Sequence, residues 1–251
     1  MGTAFDLTGR TAVVTGGGRG LGRGLTTGLL RAGADVVVLQ RSPLDPDLVD
    51  SAAGLGRELE CVPADLADPA STDAAVAEVL DRRAVDVLVN NAGVQARHAA
   101  EDFPDADFDH VLDVNLRSVF RLCKAFGRPM LERGRGKIVN IASLLSFQGG
   151  IRVPAYAASK GGVVQLTMAL CNEWAGRGVN VNAIAPGYMS TDLNTALRAD
   201  PVRHQEISER IPAGRWGAAD DLAGAVVFLS SAAADYVHGA VLPVDGGWLA
   251  R

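Results

Sequence analysis

Short runs of aliphatic and β-branched residues alternate along the chain with longer stretches in which apolar residues recur at helical spacing. Strands that alternate with helices in this way are typical of a parallel sheet built from β-α-β units. The run 85–90 is nearly all apolar, which is expected of a strand that helices cover on both faces. The pattern therefore predicts an α/β fold: a single doubly wound domain of about seven parallel strands, with helices on both faces.

The same pattern predicts where the individual elements lie. Strands are predicted at residues 11–15, 35–39, 60–63, 85–90, 137–142, 179–184 and 240–244. Helices are predicted at residues 21–31, 70–82, 107–133, 155–177 and 220–231. No linker or repeat divides the chain, so one domain is expected to span residues 1–251.

Residues 185–218 form the longest stretch without a predicted strand. The stretch is interrupted by Pro186, Gly187, Pro201, Pro212 and Gly214. A long excursion of this kind on an α/β scaffold is often a lid over a ligand, and we expect such a lid within this segment. The alternative is a peripheral pair of helices with no functional motion.

Composition and charge exclude several functional classes. The net charge is −5 and no Lys/Arg cluster forms a basic stripe, which argues against a nucleic-acid partner. No apolar run approaches the roughly 20 residues needed to span a bilayer, and the first residues carry no secretion signal. A cytoplasmic protein without a membrane partner is therefore expected. The three cysteines and four histidines show no metal-ligand spacing, so we expect no metal and free thiols.

A glycine-rich turn follows the first predicted strand and precedes the first predicted helix. It reads Thr15-Gly16-Gly17-Gly18-Arg19-Gly20-Leu21-Gly22. Glycines let a backbone approach a ligand closely, and the N-terminus of the next helix offers free N–H groups to a phosphate. Between strand and helix, such a turn predicts a dinucleotide cofactor bound by Gly16, Arg19, Gly20, Leu21 and Gly22.

Tyr156 and Lys160 lie four residues apart at the start of a predicted helix, on the same helical face. A free tyrosine has a pKa of about 10, and a neighbouring ammonium favours the phenolate. We therefore expect Lys160 to lower the pKa of Tyr156, so that Tyr156 can exchange a proton with a substrate oxygen near neutral pH. Ser143 and Ser146 follow the strand 137–142 and precede Tyr156 in the chain.

Together with further motifs, these residues resemble the short-chain dehydrogenase/reductase family over essentially the whole chain. The motifs are the Gly-x-x-x-Gly-x-Gly turn, Asp65-Leu66, Asn90-Asn91-Ala92-Gly93, Asn115, Ser143, Tyr156-x-x-x-Lys160 and Pro186-Gly187 with Met189 and Thr191. The resemblance implies a Rossmann-type fold and hydride transfer between a nicotinamide cofactor and a secondary alcohol or ketone.

The resemblance also implies roles for individual residues. Asn115, Ser143, Tyr156 and Lys160 would form a catalytic tetrad, in which Asn115 holds a water linking Lys160 to solvent and Lys160 also binds the nicotinamide ribose. Ser143 would donate a hydrogen bond to the substrate oxygen, with Ser146 as its rival. Asp65 and Leu66 would contact the adenine. The segment Asn91, Ala92 and Gly93 would line the cofactor site. Pro186, Gly187, Met189 and Thr191 would hold the nicotinamide carboxamide and phosphates.

The choice between NAD and NADP depends on the residues after the second strand. An acidic residue there would bind the ribose hydroxyls and disfavour a 2′-phosphate. This chain has Gln40 and Arg41 instead, and Arg19 lies in the glycine turn. Two guanidinium groups could bind a 2′-phosphate, which favours NADP. Alternatively both arginines are solvated and Gln40 binds a ribose hydroxyl; relatives in the family often favour NAD.

The segments around Tyr156, after Pro186 and at the C-terminus resemble family members that act on sugar acids. A sugar acid needs a cation for its carboxylate, and Arg152 and Arg97 lie beside site motifs and could form a bidentate pair. Gln148 could bind a substrate hydroxyl. For each arginine, a solvated or subunit-interface position is the alternative.

Other functions stay open on the sequence alone. Within the family, the substrate could be gluconate at C5 or a 3-oxoacyl group on a carrier protein. In a different class, the chain would be a non-catalytic nucleotide-sensing scaffold. The segment from Gly246 to Leu249, with its apolar Trp248, resembles a subunit-contact tail, so a homotetramer is expected, with a dimer next.

Overall fold

The protein is described by a computed structural model covering residues 4–191 and 194–251. These residues contain seven strands, all in one parallel sheet. They are β1 (Thr11–Thr15), β2 (Asp35–Gln40), β3 (Leu59–Pro63), β4 (Val87–Asn90), β5 (Gly136–Ile141), β6 (Val179–Pro186) and β7 (Val241–Val244). The predicted strands agree with these to within two residues at each end, which confirms the predicted sheet.

The strands lie in the order β3-β2-β1-β4-β5-β6-β7, so the direction of winding reverses between β1 and β4. Successive residues of β1 point to opposite sides: Val13 packs into one buried apolar cluster, and Ala12 and Val14 pack into the other. Phe126 is buried in the first cluster and Leu25 in the second, so helices cover both faces. This is the predicted doubly wound arrangement.

Nine α-helices lie in the described residues. They are α1 (Gly20–Arg31), α2 (Pro46–Gly54), α3 (Pro69–Arg82), α4 (Asp105–Leu112), α5 (Ser118–Arg133), α6 (Pro154–Trp174), α7 (Thr195–Ala199), α8 (Pro201–Arg210) and α9 (Ala223–Ser230). No helix among them is long and apolar enough to cross a bilayer.

Three of these helices begin with the same local signal, an aspartate followed by a proline. Asp45, Asp68 and Asp200 each accept a hydrogen bond from a backbone N–H of the first turn, and the proline needs no N–H partner there. Apolar spacing alone predicts α3, and the predicted helices do not include α2 or the helices α7 and α8 within residues 185–218.

The predicted helix 107–133 is divided by a π-helical turn. The turn Asp113–Arg117 joins α4 to α5, and Asn115 lies inside it, fully buried. Such turns change the backbone hydrogen-bonding register and often mark functional sites. Sequence periodicity did not reveal the turn because the apolar spacing continues through it.

Candidate active site

A cavity of about 1300 Å³ lies at the carboxyl ends of the strands, beside the reversal between β1 and β4. Ligands bind at this position in open α/β sheets. The predicted site residues that line it are Gly16, Arg19, Gly20, Leu21, Gly22, Gln40, Arg41, Asp65, Leu66, Asn91, Ala92, Gly93, Arg97, Ser143, Gln148, Tyr156, Lys160, Pro186, Gly187, Met189 and Thr191. Asn115 and Arg152 do not line it.

The glycine turn is packed so closely that side chains do not fit. A Cβ on Gly22 would lie 2.0 Å from the carbonyl oxygen of Gly16. The Asn91 amide donates to the carbonyls of Thr15 (2.9 Å) and Gly16 (3.2 Å), and the Thr15 hydroxyl accepts from the backbone N–H groups of Asn91 and Ala92. The turn is thus held rigidly at the N-terminus of α1, a geometry suited to a phosphate group.

The end of the cavity next to β2 has unpaired positive charge. The Gln40 side chain already forms hydrogen bonds with neighbouring backbone: its carboxamide accepts from Gly18 N (2.9 Å) and donates to Ser42 O (2.8 Å). Arg23 forms an ion pair with Asp45 at 2.6 Å. Arg19 and Arg41 are exposed and form no ion pair within the described residues. Two free guanidinium groups here can hold a phosphate.

The structure distinguishes Ser143 from its rival Ser146. The Ser146 hydroxyl donates to the Lys160 carbonyl at 2.8 Å and accepts from Ser143 N, so it is used within the fold. The Ser143 hydroxyl accepts from Leu145 N at 3.1 Å and lines the cavity. Because that bond uses an oxygen lone pair, the hydroxyl hydrogen of Ser143 stays available to donate to a ligand oxygen.

Tyr156 and Lys160 lie on the first turns of α6, with the Lys160 ammonium 5.8 Å from the centre of the tyrosine ring. The Lys160 ammonium donates to the Ile141 carbonyl at 2.6 Å. Burial lowers the pKa of Lys160 to about 8. Burial also raises the pKa of Tyr156, although the Ser143 hydroxyl acts in the opposite direction. In the chain by itself, desolvation therefore raises the pKa of the phenol, and the lowering of that pKa by Lys160 stays a prediction.

Asn115 does not line the cavity but connects two segments that do, the segment after β4 and the helix α6. Its amide donates to the carbonyl of Val94 (2.9 Å) and the hydroxyl of Ser159 (3.1 Å), and accepts from Val94 N (2.8 Å). The Ser159 hydroxyl in turn donates to the Tyr156 carbonyl. The side chain thereby fixes the segment after β4 against α6. Its predicted role of holding a water stays a prediction.

The two predicted substrate arginines have different positions. Arg97 and Gln148 line the cavity. Arg152 lies outside it: this residue has a positive φ of 65°, its carbonyl accepts from His98 N, and its side chain is exposed. The predicted contact between Arg152 and a substrate carboxylate is therefore not supported.

The far end of the cavity is lined by residues that were not predicted as site residues, among them Tyr188, Arg203, Arg210 and Trp248. Arg203 and Arg210 belong to α8, whose Asp200-Pro201 start was the available signal. Residues of α8 therefore lie at the cavity, and whether the segment 185–218 moves as a lid stays a prediction.

Comparison with known proteins identifies the family. A family model described as short chain dehydrogenase matches residues 10–202. The chain belongs to the short-chain dehydrogenase family. Among relatives in this family, the 2-dehydro-3-deoxy-D-gluconate 5-dehydrogenase of Bacillus subtilis (strain 168) is 51% identical over 99% of this chain and 98% of its own length.

Solved structures of short-chain dehydrogenases agree closely in fold. An Agrobacterium tumefaciens protein, provisionally named 2-deoxy-D-gluconate 3-dehydrogenase and with bound NADP, superposes with a TM-score of 0.93. It is 54% identical and covers 99% of this chain and 100% of its own. A gluconate 5-dehydrogenase from Burkholderia cenocepacia J2315, in complex with NADP and tartrate, has a TM-score of 0.91 and 41% identity, covering 99% and 98% of the two chains. The chain is accordingly an oxidoreductase of this family.

Proposed function

We propose that the protein transfers hydride between NADP(H) and a secondary alcohol or ketone of a sugar acid, with 2-dehydro-3-deoxy-D-gluconate or 2-deoxy-D-gluconate as substrate. The observation that carries this proposal is the convergence of Ser143, Tyr156 and Lys160 on one cavity that begins at a glycine turn. The identity of about half of all positions with relatives of those names supports the substrate class.

The proposed division of labour follows from the hydrogen bonds. Ser143 donates to the substrate oxygen and polarises it. Tyr156 exchanges the proton with that oxygen. Because burial raises its pKa, the phenol carries the proton that reduction requires. In the oxidation direction the nearby Lys160 ammonium favours loss of the phenolic proton. When bound, the nicotinamide cofactor supplies or accepts the hydride.

The residues at the β2 end of the cavity fit NADP. No acidic side chain stands at Gln40, and Arg19 and Arg41 are available for a 2′-phosphate. We expect Arg41→Ala to raise the KM for NADP about tenfold, since a charge-assisted hydrogen bond is lost, and to leave the KM for NAD nearly unchanged.

The matched control for Arg41→Ala is Arg31→Ala. Arg31 is an exposed arginine at the C-terminal end of α1 and does not line the cavity. Steady-state kinetics with both cofactors measures the effect. Equal changes for NAD and NADP in the Arg41 variant would remove the 2′-phosphate from this site.

The reaction is tested by incubating the protein with a panel of sugar acids and each cofactor. The near-ultraviolet absorbance of the reduced cofactor measures turnover. We expect Tyr156→Phe to lower kcat by about 10²–10⁴-fold, the range for loss of a general acid or base. Tyr236→Phe is the matched control, because Tyr236 is 99% exposed. Unchanged turnover in the Tyr156 variant, or no turnover of any sugar acid by the wild type, would contradict the proposal. Turnover of gluconate alone would favour gluconate 5-dehydrogenase, the name of one relative.

We further propose that the segment 185–218 acts as a substrate lid on a catalytic domain that spans residues 1–251. We also propose that the protein works in the cytoplasm and that it assembles as a homotetramer. Exposed apolar side chains on the helices α5 and α6, Phe120 and Met168, support a subunit contact. Sedimentation equilibrium tests the assembly, and a monomer at micromolar concentration would contradict it.

A further inference from the structure

The end of the cavity beneath α8 has more positive than negative charge. Arg97, Arg203 and Arg210 line it, and Glu206 is the carboxylate that α8 contributes to the lining. Glu206 already accepts a hydrogen bond from Arg203 at 2.8 Å. Neither Arg97 nor Arg210 forms an ion pair with any residue that the structure describes. This end of the cavity is therefore suited to an anion.

Arg210 is held in a defined position by aromatic stacking. Its guanidinium group lies 4.0 Å from the centre of the Trp248 ring. Trp248 is 4% exposed and packs against Tyr188, with 4.7 Å between the ring centres. Stacking uses the face of the guanidinium plane and leaves its N–H edge free. A planar carboxylate is the group that accepts two parallel hydrogen bonds from such an edge.

The surroundings of Trp248 connect this arginine to the reaction centre. Leu144 is buried in one apolar cluster with Ile207 and Trp248, and it directly follows Ser143 in the chain. The indole N–H of Trp248 is buried and has no hydrogen-bond partner among residues 4–191 and 194–251.

The C-terminal turn, residues 245–251, fixes the end of α8 that carries Arg210. Gly246 and Gly247 adopt positive φ angles of 66° and 89°, and the Asp245 carboxylate accepts from Gly247 N and Leu249 N. The Arg251 guanidinium then donates to the carbonyls of Glu209 (2.6 Å) and Arg210 (3.1 Å). These bonds satisfy carbonyls that the helix end would leave unpaired.

We propose that Arg210, stacked on Trp248, binds the substrate carboxylate, and that Arg251 is a positioning residue for it. The inference rests on the proposed function for the nature of the substrate, a sugar acid, and adds the residue that selects its acidic group. It also gives the C-terminal turn a role within the chain's own active site.

The kinetic test compares a sugar acid with the alditol that carries a hydroxymethyl group in place of the carboxylate. We expect Arg210→Gln to raise the KM for 2-deoxy-D-gluconate by about 10- to 100-fold, the worth of hydrogen bonds to a charged group. The KM for 2-deoxy-D-glucitol and the kcat for both should change less than about twofold, because the reacting atoms are untouched. Equal losses on acid and alditol would show a structural role and overturn the proposal.

Arg198→Gln is the matched control. Arg198 is an exposed arginine on α7 that does not line the cavity, so the variant removes the same charge from the same segment. It should leave the ratio of acid to alditol efficiency unchanged. If the ratio fell as much in Arg198→Gln as in Arg210→Gln, the effect would come from the loss of any positive charge in this segment, and the proposal would be overturned.

Binding of tartrate separates this proposal from the proposed function. Calorimetry of tartrate with the cofactor-loaded protein tests the anion site without turnover, and we expect binding by the wild type and by Arg198→Gln but not by Arg210→Gln. Unchanged binding in the Arg210 variant, or no binding by any variant, overturns the carboxylate site. If binding follows this pattern but no sugar acid is turned over, the proposed function fails and the anion site stands.

The positioning role of Arg251 has its own readout. Arg251→Ala should raise the KM for the acid selectively, with kcat unchanged, and Arg251→Lys should restore most of the affinity because an ammonium can still donate to the α8 carbonyls. Parallel loss of kcat in Arg251→Ala, or no rescue by lysine, would contradict this role.

Discussion

Ser143 and Ser146 are the same type of residue, three positions apart in one turn, and only their hydrogen bonds distinguish them. Ser146 gives its hydrogen to the Lys160 carbonyl, whereas Ser143 accepts from Leu145 N and keeps its hydrogen for a ligand. Tyr156 and Lys160 show the same principle, because burial moves both pKa values toward the uncharged form. At the residue scale, chemistry follows from the partner atoms and the desolvation of each group.

The two serines make a matched pair for mutagenesis. We expect Ser143→Ala to lower kcat by about 10²–10³-fold, the range for losing one donor to a reacting oxygen, with little change in stability. Ser146→Ala should instead lower the free energy of unfolding by about 1 kcal/mol, because the hydrogen bond from Ser146 to the Lys160 carbonyl is lost. Steady-state kinetics and urea unfolding measure the two effects. An equal kcat loss in a fully stable Ser146 variant would contradict the assignment.

At the element scale, the same Asp-Pro signal begins helices that have different roles. Asp68 caps α3, which packs on the sheet away from the cavity lining, and Asp200 caps α8, which forms part of that lining. The chemistry of the two caps is alike, since each carboxylate accepts from first-turn N–H groups. The consequences of losing them should therefore differ only through what each helix carries.

Removal of the two caps tests this difference. Asp68→Ala and Asp200→Ala should each cost about 1 kcal/mol of helix stability, the usual worth of an N-cap. Only Asp200→Ala should also raise the KM for the sugar acid, because a frayed α8 holds Arg203 and Arg210 less firmly. Equal KM values for the two variants would argue against a role for α8 in substrate binding.

At the scale of the whole molecule, one buried cation links the active site to global stability. Lys160 is 3% exposed, and its pKa falls from 10.5 to about 8 in the folded chain. Between these values the unfolded chain holds the proton and the folded chain does not, so the free energy of unfolding rises with pH across this window. Below pH 8 the folded state bears the full cost of a buried ammonium.

The size of this effect follows from the pKa difference. The free energy of unfolding should increase by about 3 kcal/mol between pH 8 and pH 10.5 through this one group. Lys160→Met should lack that increment, so the difference between the two proteins isolates it from other titrating groups. Urea unfolding of the cofactor-free proteins at several pH values measures it. Parallel pH profiles would mean that the lysine is not desolvated as the structure indicates.

The sequence by itself determined the sheet and the core of the site, because both are encoded locally. Short apolar runs located all seven strands of the described residues, since strands covered on both faces are rich in apolar residues. The glycine turn and the Tyr156–Lys160 spacing indicated residues that line the cavity, because a strand end or a helical face fixes their direction. The roles predicted for these residues stay predictions. The helix starts at Asp45 and Asp200 were equally local and were overlooked.

Only the tertiary structure decided which arginine side chains line the cavity and how far the Tyr156 phenol is buried. Arg152 is close to Tyr156 in sequence but lies outside the cavity, whereas Arg210 is distant in sequence and lines it beside Trp248. The packing of α8 and the C-terminal turn onto Leu144 brings those residues together, and no local pattern encodes it. The pKa of Tyr156 depends on burial by neighbours from several elements, so residue spacing could not give its direction.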